Sequence, residues 1–281
     1  MSSSVVLGAS RGIGFEFLRQ LSLDPANIVI GLVRDVKTTE SKVTAEINRS
    51  NVHIIHGDLD SYDSLKARPK RSSQETVLIT LHRKQAKLPQ ESPAEAWTIS
   101  SPTELVFPKT LTSSASENKE ELMTGFKTNV VGNVHLFNLF MPLILKGQQK
   151  KVIFISSGHA DLDFISKCEV EVSGPYAVGK AATNTVVAKF GAEYGNDGVL
   201  FMSISPGVVD TGHFDPTKLT EQERQGFGAF MAKMQKYVPH FQGMMTPEES
   251  VKAVVSVYEK ASIANGDQGS FVSHRGTKQW I

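Results

Sequence analysis

Cysteine is almost missing from this chain: Cys168 is the sole one in 281 residues. That excludes an internal disulfide and any zinc cluster built on several thiolates. The eight histidines, at positions 53, 56, 82, 135, 159, 213, 240 and 274, show no metal-ligand spacing, so no metal is expected. No apolar run approaches the ~18–20 residues that cross a bilayer. The start, Met1-Ser2-Ser3-Ser4-Val5-Val6-Leu7-Gly8, lacks the charged region that opens a secretory signal. Net charge is scant too: 30 Lys and Arg against 29 Asp and Glu leave +1, which makes no electrostatic case for nucleic acid or an anionic membrane. We read the chain as cytoplasmic, with neither of those partners.

What the chain does have is alternation. Val5-Val6-Leu7 reads as a strand, and Gly12 to Leu23 follows a helical period. Ile28–Val33 and Val52–Ile55 read as strands, Glu121–Leu145 as a long helix, and Lys151–Ser156 as a strand. Tyr176–Tyr194 reads as a helix, Val199–Ile204 as a strand, and Pro247–Lys260 as a helix capped by Thr246. Phe271-Val272 is the last strand. Strands alternating with helices, and strands apolar throughout, imply α/β architecture with a buried parallel sheet covered on both faces. A chain of 281 residues accommodates one such domain or two small ones.

One stretch departs from this pattern. Between about 68 and 116 the chain is rich in Ser, Thr, Pro, Lys and Arg, and Val77–Leu81 is the one strand candidate there. Its basic cluster (Lys66, Arg68, Lys70, Arg71, Arg83, Lys84, Lys87) reads as a solvated loop, given the near-neutral whole. So long a structureless stretch is unusual inside a compact domain. Either the segment has diverged, or a reading frame or splice site has been altered across it.

Two local patterns carry chemistry. The first strand runs into Gly8-Ala9-Ser10-Arg11-Gly12-Ile13-Gly14 and then a helix. Glycines permit a tight turn and a close backbone approach to a pyrophosphate, and the helix start offers unpaired N–H groups to that anion. The spacing is Gly-x-x-x-Gly-x-Gly rather than the familiar Gly-x-Gly-x-x-Gly. The second pattern is Tyr176-Ala177-Val178-Gly179-Lys180. Positions i and i+4 share a helix face, so the phenol and the ammonium stand side by side. A free phenol, with a pKa of about 10, is a poor base at neutral pH. A nearby cation is expected to lower it, preparing Tyr176 to exchange a proton with an alcohol or carbonyl oxygen.

Taken in order, these patterns resemble the short-chain dehydrogenase/reductase family. The matches are Gly8-x-x-x-Gly12-x-Gly14, Asp58 after the third strand, and Asn129 in Thr128-Asn129-Val130-Val131-Gly132. Ser156-Ser157, Tyr176-x-x-x-Lys180, and Pro206-Gly207 followed by Thr211 complete them. The tail Lys278-Gln279-Trp280 is similar to that of small carbonyl-reductase-type members. The resemblance implies a Rossmann-like doubly wound parallel sheet in a single domain spanning 1–281, with a substrate lid over about 212–245.

It also implies roles. Tyr176 is the general acid in reduction and the base in oxidation; Lys180 tunes it and holds the nicotinamide ribose. Ser157 hydrogen-bonds the substrate oxygen, with Ser156 as the alternative. The gap from that serine to Tyr176 is wider than usual, so residues 159–173 carry an insertion near the substrate. Asn129 kinks its helix and organises a proton-relay water behind Lys180. Gly8, Ser10, Arg11, Gly12, Ile13 and Gly14 cradle the cofactor, and Asp58 sits near its adenine or is simply a turn residue. Pro206, Gly207, Val209 and Thr211 form the loop over the nicotinamide.

Cofactor choice turns on the residue closing the second strand. An acidic side chain there selects NAD. Here Val33 is followed by Arg34, whose guanidinium suits a 2′-phosphate, as does Arg11. NADP (NADPH) is therefore favoured, while Asp35 keeps NAD open. The expected activity is hydride transfer between nicotinamide and a small-molecule carbonyl or secondary alcohol. A non-catalytic dinucleotide-binding regulator is the alternative, and a dehydratase or epimerase a weaker third. His159 is read as a loop residue within reach of substrate, and the Met231, Met234, Met244 and Met245 run as lid or core. The resemblance further suggests a homodimer or homotetramer through the helices around 121–145 and 176–194. One family feature is missing: no Asn-Asn-Ala-Gly-like turn follows Val77–Leu81.

Overall fold

In the computed structural model, which describes residues 2–66, 95–100, 111, 115–212, 220–239, 241 and 243–281, seven parallel strands form one sheet in the order β3-β2-β1-β4-β5-β6-β7. The strands are β1 (Ser3–Leu7), β2 (Ile28–Val33), β3 (Val52–His56), β4 (Glu95–Ser100), β5 (Lys151–Ile155), β6 (Leu200–Ser205) and β7 (Phe271–Ser273). Helices α1 (Gly12–Leu21), α2 (Val36–Glu46), α3 (Tyr62–Lys66), α4 (Ala115–Phe126) and α5 (Gly132–Ile144) come before β5. Four more, α6 (Leu162–Lys167), α7 (Gly174–Tyr194), α8 (Glu221–Tyr237) and α9 (Pro247–Lys260), follow it. The chain is thus doubly wound, as its alternation implied.

Strand periodicity explains the two cores. Successive side chains of a strand point to opposite faces. Val6 accordingly joins Phe15, Leu18, Val251 and Val254 on the α1 and α9 face, while Val5 and Leu7 join Leu136, Phe137, Ile144 and Val187 on the other. All six residues of β6 are buried, the signature of a strand covered on both sides. Thr246 caps α9 in a full capping box with Glu249, ahead of Pro247. A third cluster, containing Phe164, Cys168, Phe230, Met234 and Trp280, gathers α6, α8 and the C-terminal tail away from the sheet.

The fourth strand is the main correction to the sequence reading. Its place is taken by Glu95–Ser100, paired in parallel with β1 (Ser3 opposite Glu95) and with β5 (Ser100 opposite Ile155). The candidate at 77–81, and most of the 68–116 stretch, lie outside the described residues. Four helices also went unread. Two are short, α3 and α6, the latter inside the stretch read as an insertion. A third is α2, opened by the Asp35 side chain accepting from Thr38 N at 3.1 Å. The fourth is α8, inside the stretch read as a lid, where Met234 is fully buried.

The sheet order reverses direction between β1 and β4, and open α/β sheets bind ligands at such a switch point, beyond the carboxyl ends of the strands. The glycine turn after β1 lies there.

Candidate active site

The turn after β1 is shaped by backbone crowding. Gly8 and Gly12 have φ of +70° and +53°, in the left-handed region. Gly14 serves the packing instead, since a Cβ built there would stand 2.3 Å from Gly8 O. Only glycine lets α1 pack so tightly on the strand it follows. Beyond the turn opens a cleft of about 400 Å³. Of the residues singled out in the sequence, Gly8, Ser10, Arg11, Gly12, Ile13, Arg34, Asp58, Ser157, Tyr176, Lys180, Pro206, Gly207, Val209 and Thr211 all line it. Gly14 and Asn129 stand behind its wall.

Helix α7 positions the phenol and the amine. Ser173 enters it with φ of 60°, an unfavourable value for a residue with a side chain, and Pro175 follows in the first turn. Tyr176 is therefore in the first turn and Lys180 one turn on, with Lys180 Nζ 5.6 Å from the Tyr176 ring centroid. The Ser157 hydroxyl stands beside the Tyr176 phenol, where it favours the ionised form. Ser157 itself sits just past β5, where its Oγ accepts from His159 N at 3.3 Å. Ser156 Oγ, in contrast, is buried without a hydrogen-bond partner among the described residues.

The electrostatics differ from the expected tuning. Burial pushes the Tyr176 phenol above its ordinary value, and Ser157 only partly opposes this. Lys180 is buried as well, and desolvation brings it down to about 7. Its ammonium donates to Ile155 O at 2.8 Å. The expectation of a phenol lowered by its neighbour is thus not met in this state: desolvation prevails, and what opposes it is Ser157 rather than the lysine. Tyr176 is held as a neutral acid, the form needed to give a proton.

Asn129 lies in a π-helical turn, Lys127–Val131, between α4 and α5. The long helix read over 121–145 is in fact interrupted there, as π turns commonly do at functional places. The carbonyl of Asn129 accepts from Thr183 Oγ1 at 2.9 Å and from Asn133 Nδ2 at 2.5 Å. Its side chain rests against Gly179, where a Cβ would come within 3.2 Å of Asn129 Nδ2. Asp58 makes a local turn, its Oδ1 accepting from Asp60 N at 3.1 Å. Gly207, at φ of +86°, turns the loop after β6, and Pro206 O accepts from Ser250 Oγ at 2.7 Å. That loop is also tied to the far end of the next excursion: Met245 N donates to Val208 O at 2.8 Å, and Asp210 N to Met245 O at 2.9 Å.

Sequence reasoning missed most of the opposite wall. Phe164, Phe227, Phe230, Met244, Trp280 and Ile281 line it with His159. Trp280 stacks on Phe271 with ring centroids 4.4 Å apart and approaches Gly158, where a Cβ would stand 3.0 Å from Trp280 Cβ. The tail motif hinted at Trp280; nothing local marked the phenylalanines, which come from α6 and α8.

The family model described as short chain dehydrogenase matches residues 109–222. Across the full length, short chain dehydrogenase virK of Hypocrea virens is 48% identical over 284 residues, covering 100% of both chains. This chain is a short-chain dehydrogenase/reductase. A second relative, short-chain dehydrogenase/reductase iacC of Pestalotiopsis fici, is 46% identical over 283 residues, again with 100% of each covered. Among solved structures, the NADPH-bound carbonyl reductase from chicken fatty liver superposes with a TM-score of 0.71, at 20% identity, over 99% of this chain and 98% of that one. That likeness concerns the fold. As a short-chain dehydrogenase/reductase the protein is an oxidoreductase enzyme that uses NAD(P) and acts on small molecules. None of its described helices is long and apolar enough to cross a membrane.

Burial of His159 has a consequence for stability. Desolvation brings its imidazole from an ordinary 6.5 to about 4. Between those values the unfolded chain binds the proton and the folded chain does not, so stability falls as pH drops from 6.5 to about 4. The loss is on the order of 3 kcal/mol at full extent. Urea midpoints measured across that window should fall for the wild type, and the fall should flatten in His159→Phe. Parallel slopes for the two proteins would contradict this account.

Proposed function

We propose that this short-chain dehydrogenase/reductase is an NADP-dependent reductase of ketones or aldehydes, run in reverse on secondary alcohols, with Tyr176 as the proton donor or acceptor. One observation carries the reading: the neutral Tyr176 phenol, with Ser157 beside it and Lys180 one helical turn on, opens onto the cleft that begins at the glycine turn. The residues present fit a dinucleotide. Gly14 removes the side chain that would push α1 off the strand, and the start of α1 offers its amides to a pyrophosphate. Gly8, Ser10, Arg11, Gly12 and Ile13 would hold that end, Asp58 the adenine side, and Pro206, Gly207, Val209 and Thr211 the nicotinamide side. When bound, NADPH supplies the hydride.

The chain's own residues handle the rest. Ser157 donates to the substrate oxygen and orients it. Tyr176 delivers a proton to that oxygen as negative charge develops there. Lys180 would hold the nicotinamide ribose and favour the phenolate left behind. Asn129, through the π turn, supports a proton path behind Lys180.

Arg34 and Asp35 support NADP over NAD. Arg34 lines the cleft, whereas the Asp35 carboxylate is committed to the start of α2, accepting from Thr38 N. A carboxylate so engaged is poorly placed to accept from a ribose 2′-hydroxyl, and a guanidinium pairs well with a 2′-phosphate. Arg34→Glu should raise the KM for NADPH roughly 10–100-fold, the range of a lost charge-assisted bond, and leave NADH nearly unaffected. Equal effects on both cofactors would remove Arg34 from this role. The activity itself is tested by NADPH consumption against a panel of aldehydes and ketones. Cofactor binding without turnover on any of them would favour a non-catalytic regulator. A cytoplasmic location, and assembly of two or four copies through α4, α5 and α7, accompany this reading.

A further inference from the structure

His159 is a buried polar group that no part of the fold accounts for. It stands in the short 3-10 turn Gly158–Ala160, directly after the Ser157 that faces Tyr176. Its side chain lines the cleft, yet the residue is only 7% exposed. Nδ1 has no hydrogen-bond partner among the described residues. Three rings surround it: Phe230 at 5.7 Å, Phe164 at 6.3 Å and Tyr176 at 6.4 Å between centroids. Buried polar groups are nearly always hydrogen-bonded, so one left open beside a ligand cleft is a group awaiting a ligand atom.

The wall around it narrows the class of ligand. Phe164, Phe230 and Trp280 present rings, and Gly158 lets Trp280 come in close, so this end of the cleft suits a flat apolar frame. Among the described residues the charged linings are Arg11, Arg34, Asp58 and Asp60, which follow the first three strands, and Lys180, whose Nζ is already engaged with Ile155 O at 2.8 Å; none belongs to the ring-lined wall, which makes an ionised substrate a poor fit there. The imidazole is the polar group set within these rings, one residue from Gly158 and within a ring's width of Tyr176. Its depressed pKa keeps it neutral at ordinary pH, able to give one hydrogen bond and accept another.

We propose that His159 is a specificity-determining residue that hydrogen-bonds a second oxygen on the substrate, and that the substrate class is uncharged ring ketones bearing a hydroxyl on the same ring system. This rests on the carbonyl-reductase reading above and deepens it. The reacting carbonyl meets Tyr176 and Ser157, and the hydroxyl meets His159.

The probes are α-tetralone, its ring-hydroxylated isomers and hexanal, each with NADPH. The wild type should favour at least one hydroxytetralone over α-tetralone by roughly 10²-fold in kcat/KM, because a site with a buried polar group discriminates against the analogue that leaves it unpaired. The difference should sit mainly in KM, as binding contributed equally to ground and transition states does. His159→Phe should collapse that ratio toward one, and His159→Gln, which keeps a donor and an acceptor, should restore part of it. A merely structural histidine would alter all probes alike and leave the ratio intact. No preference among tetralones, or a preference that survives in His159→Phe, overturns the proposal.

Thermal shift with the same tetralones separates the two readings. Selective stabilisation by a hydroxylated isomer that depends on His159, without turnover of any probe, upholds His159 and sinks the reductase. Turnover of hexanal with no tetralone bound or reduced upholds the reductase and sinks the ring-ketone class.

Discussion

Tyr176→Phe should lower kcat for carbonyl reduction by about 10²–10⁴-fold, the range attributed to a positioned general acid. NADPH affinity should change only a few-fold. The substitution removes one oxygen and leaves the ring, so the packing at the head of α7 is preserved. The contrast between chemistry and binding is what separates a proton donor from a structural tyrosine. Because burial holds the phenol above its ordinary value, the wild-type acid form persists through neutral pH, and reduction should not weaken there through loss of that proton. Steady-state kinetics on a working ketone, paired with a cofactor titration by fluorescence, gives both numbers. A kcat that survives within a few-fold would mean that the proton comes from elsewhere and that the Tyr176–Ser157 pair is incidental.

Gly14→Ala carries the second large effect, on both folding and cofactor binding. The new methyl would start 2.3 Å from Gly8 O and 2.9 Å from Gly8 C, both main-chain atoms. No rotamer can relieve a backbone clash, so α1 must shift away from β1. Overpacking of this kind costs about 1–3 kcal/mol or more. In a domain of this size that corresponds to roughly 2–6 °C in Tm. Displacing α1 also moves the amides that would face the pyrophosphate, so the stabilisation normally given by NADPH should shrink in the same thermal scan. A variant melting with the wild type and equally stabilised by NADPH would show that the helix tolerates the shift and that the turn is looser than its geometry indicates.

Much of this is legible in the sequence, for a physical reason. The glycine turn, the serine pair and the Tyr-Lys spacing are local patterns, each set by backbone conformation over a handful of residues. Strand and helix periodicity likewise reports which faces are buried. What could not be read depended on distant partners. Glu95–Ser100 carries a weaker strand pattern than Val77–Leu81, yet it is the segment in register between β1 and β5. Propensity ranks segments singly, whereas sheet pairing ranks them against neighbours. The state of Tyr176 was misjudged similarly. Spacing along a helix reveals the lysine, but the burial that raises the phenol comes from the whole surround. The aromatic wall was invisible because Phe164, Phe230 and Trp280 meet only once α6, α8 and the tail are folded together.

The two backbone hydrogen bonds between Val208–Asp210 and Met245 close a neck at the base of everything that lies between them in the chain. A drawstring at that point isolates what hangs above it from the loop below. Length and composition in the hanging stretch can then vary without disturbing the seat beside Pro206 and Gly207. On the reading of that stretch as a substrate cover, transplanting residues 212–244 between relatives, which leaves Thr211 in place, should exchange preference among ketones while leaving cofactor choice where it was.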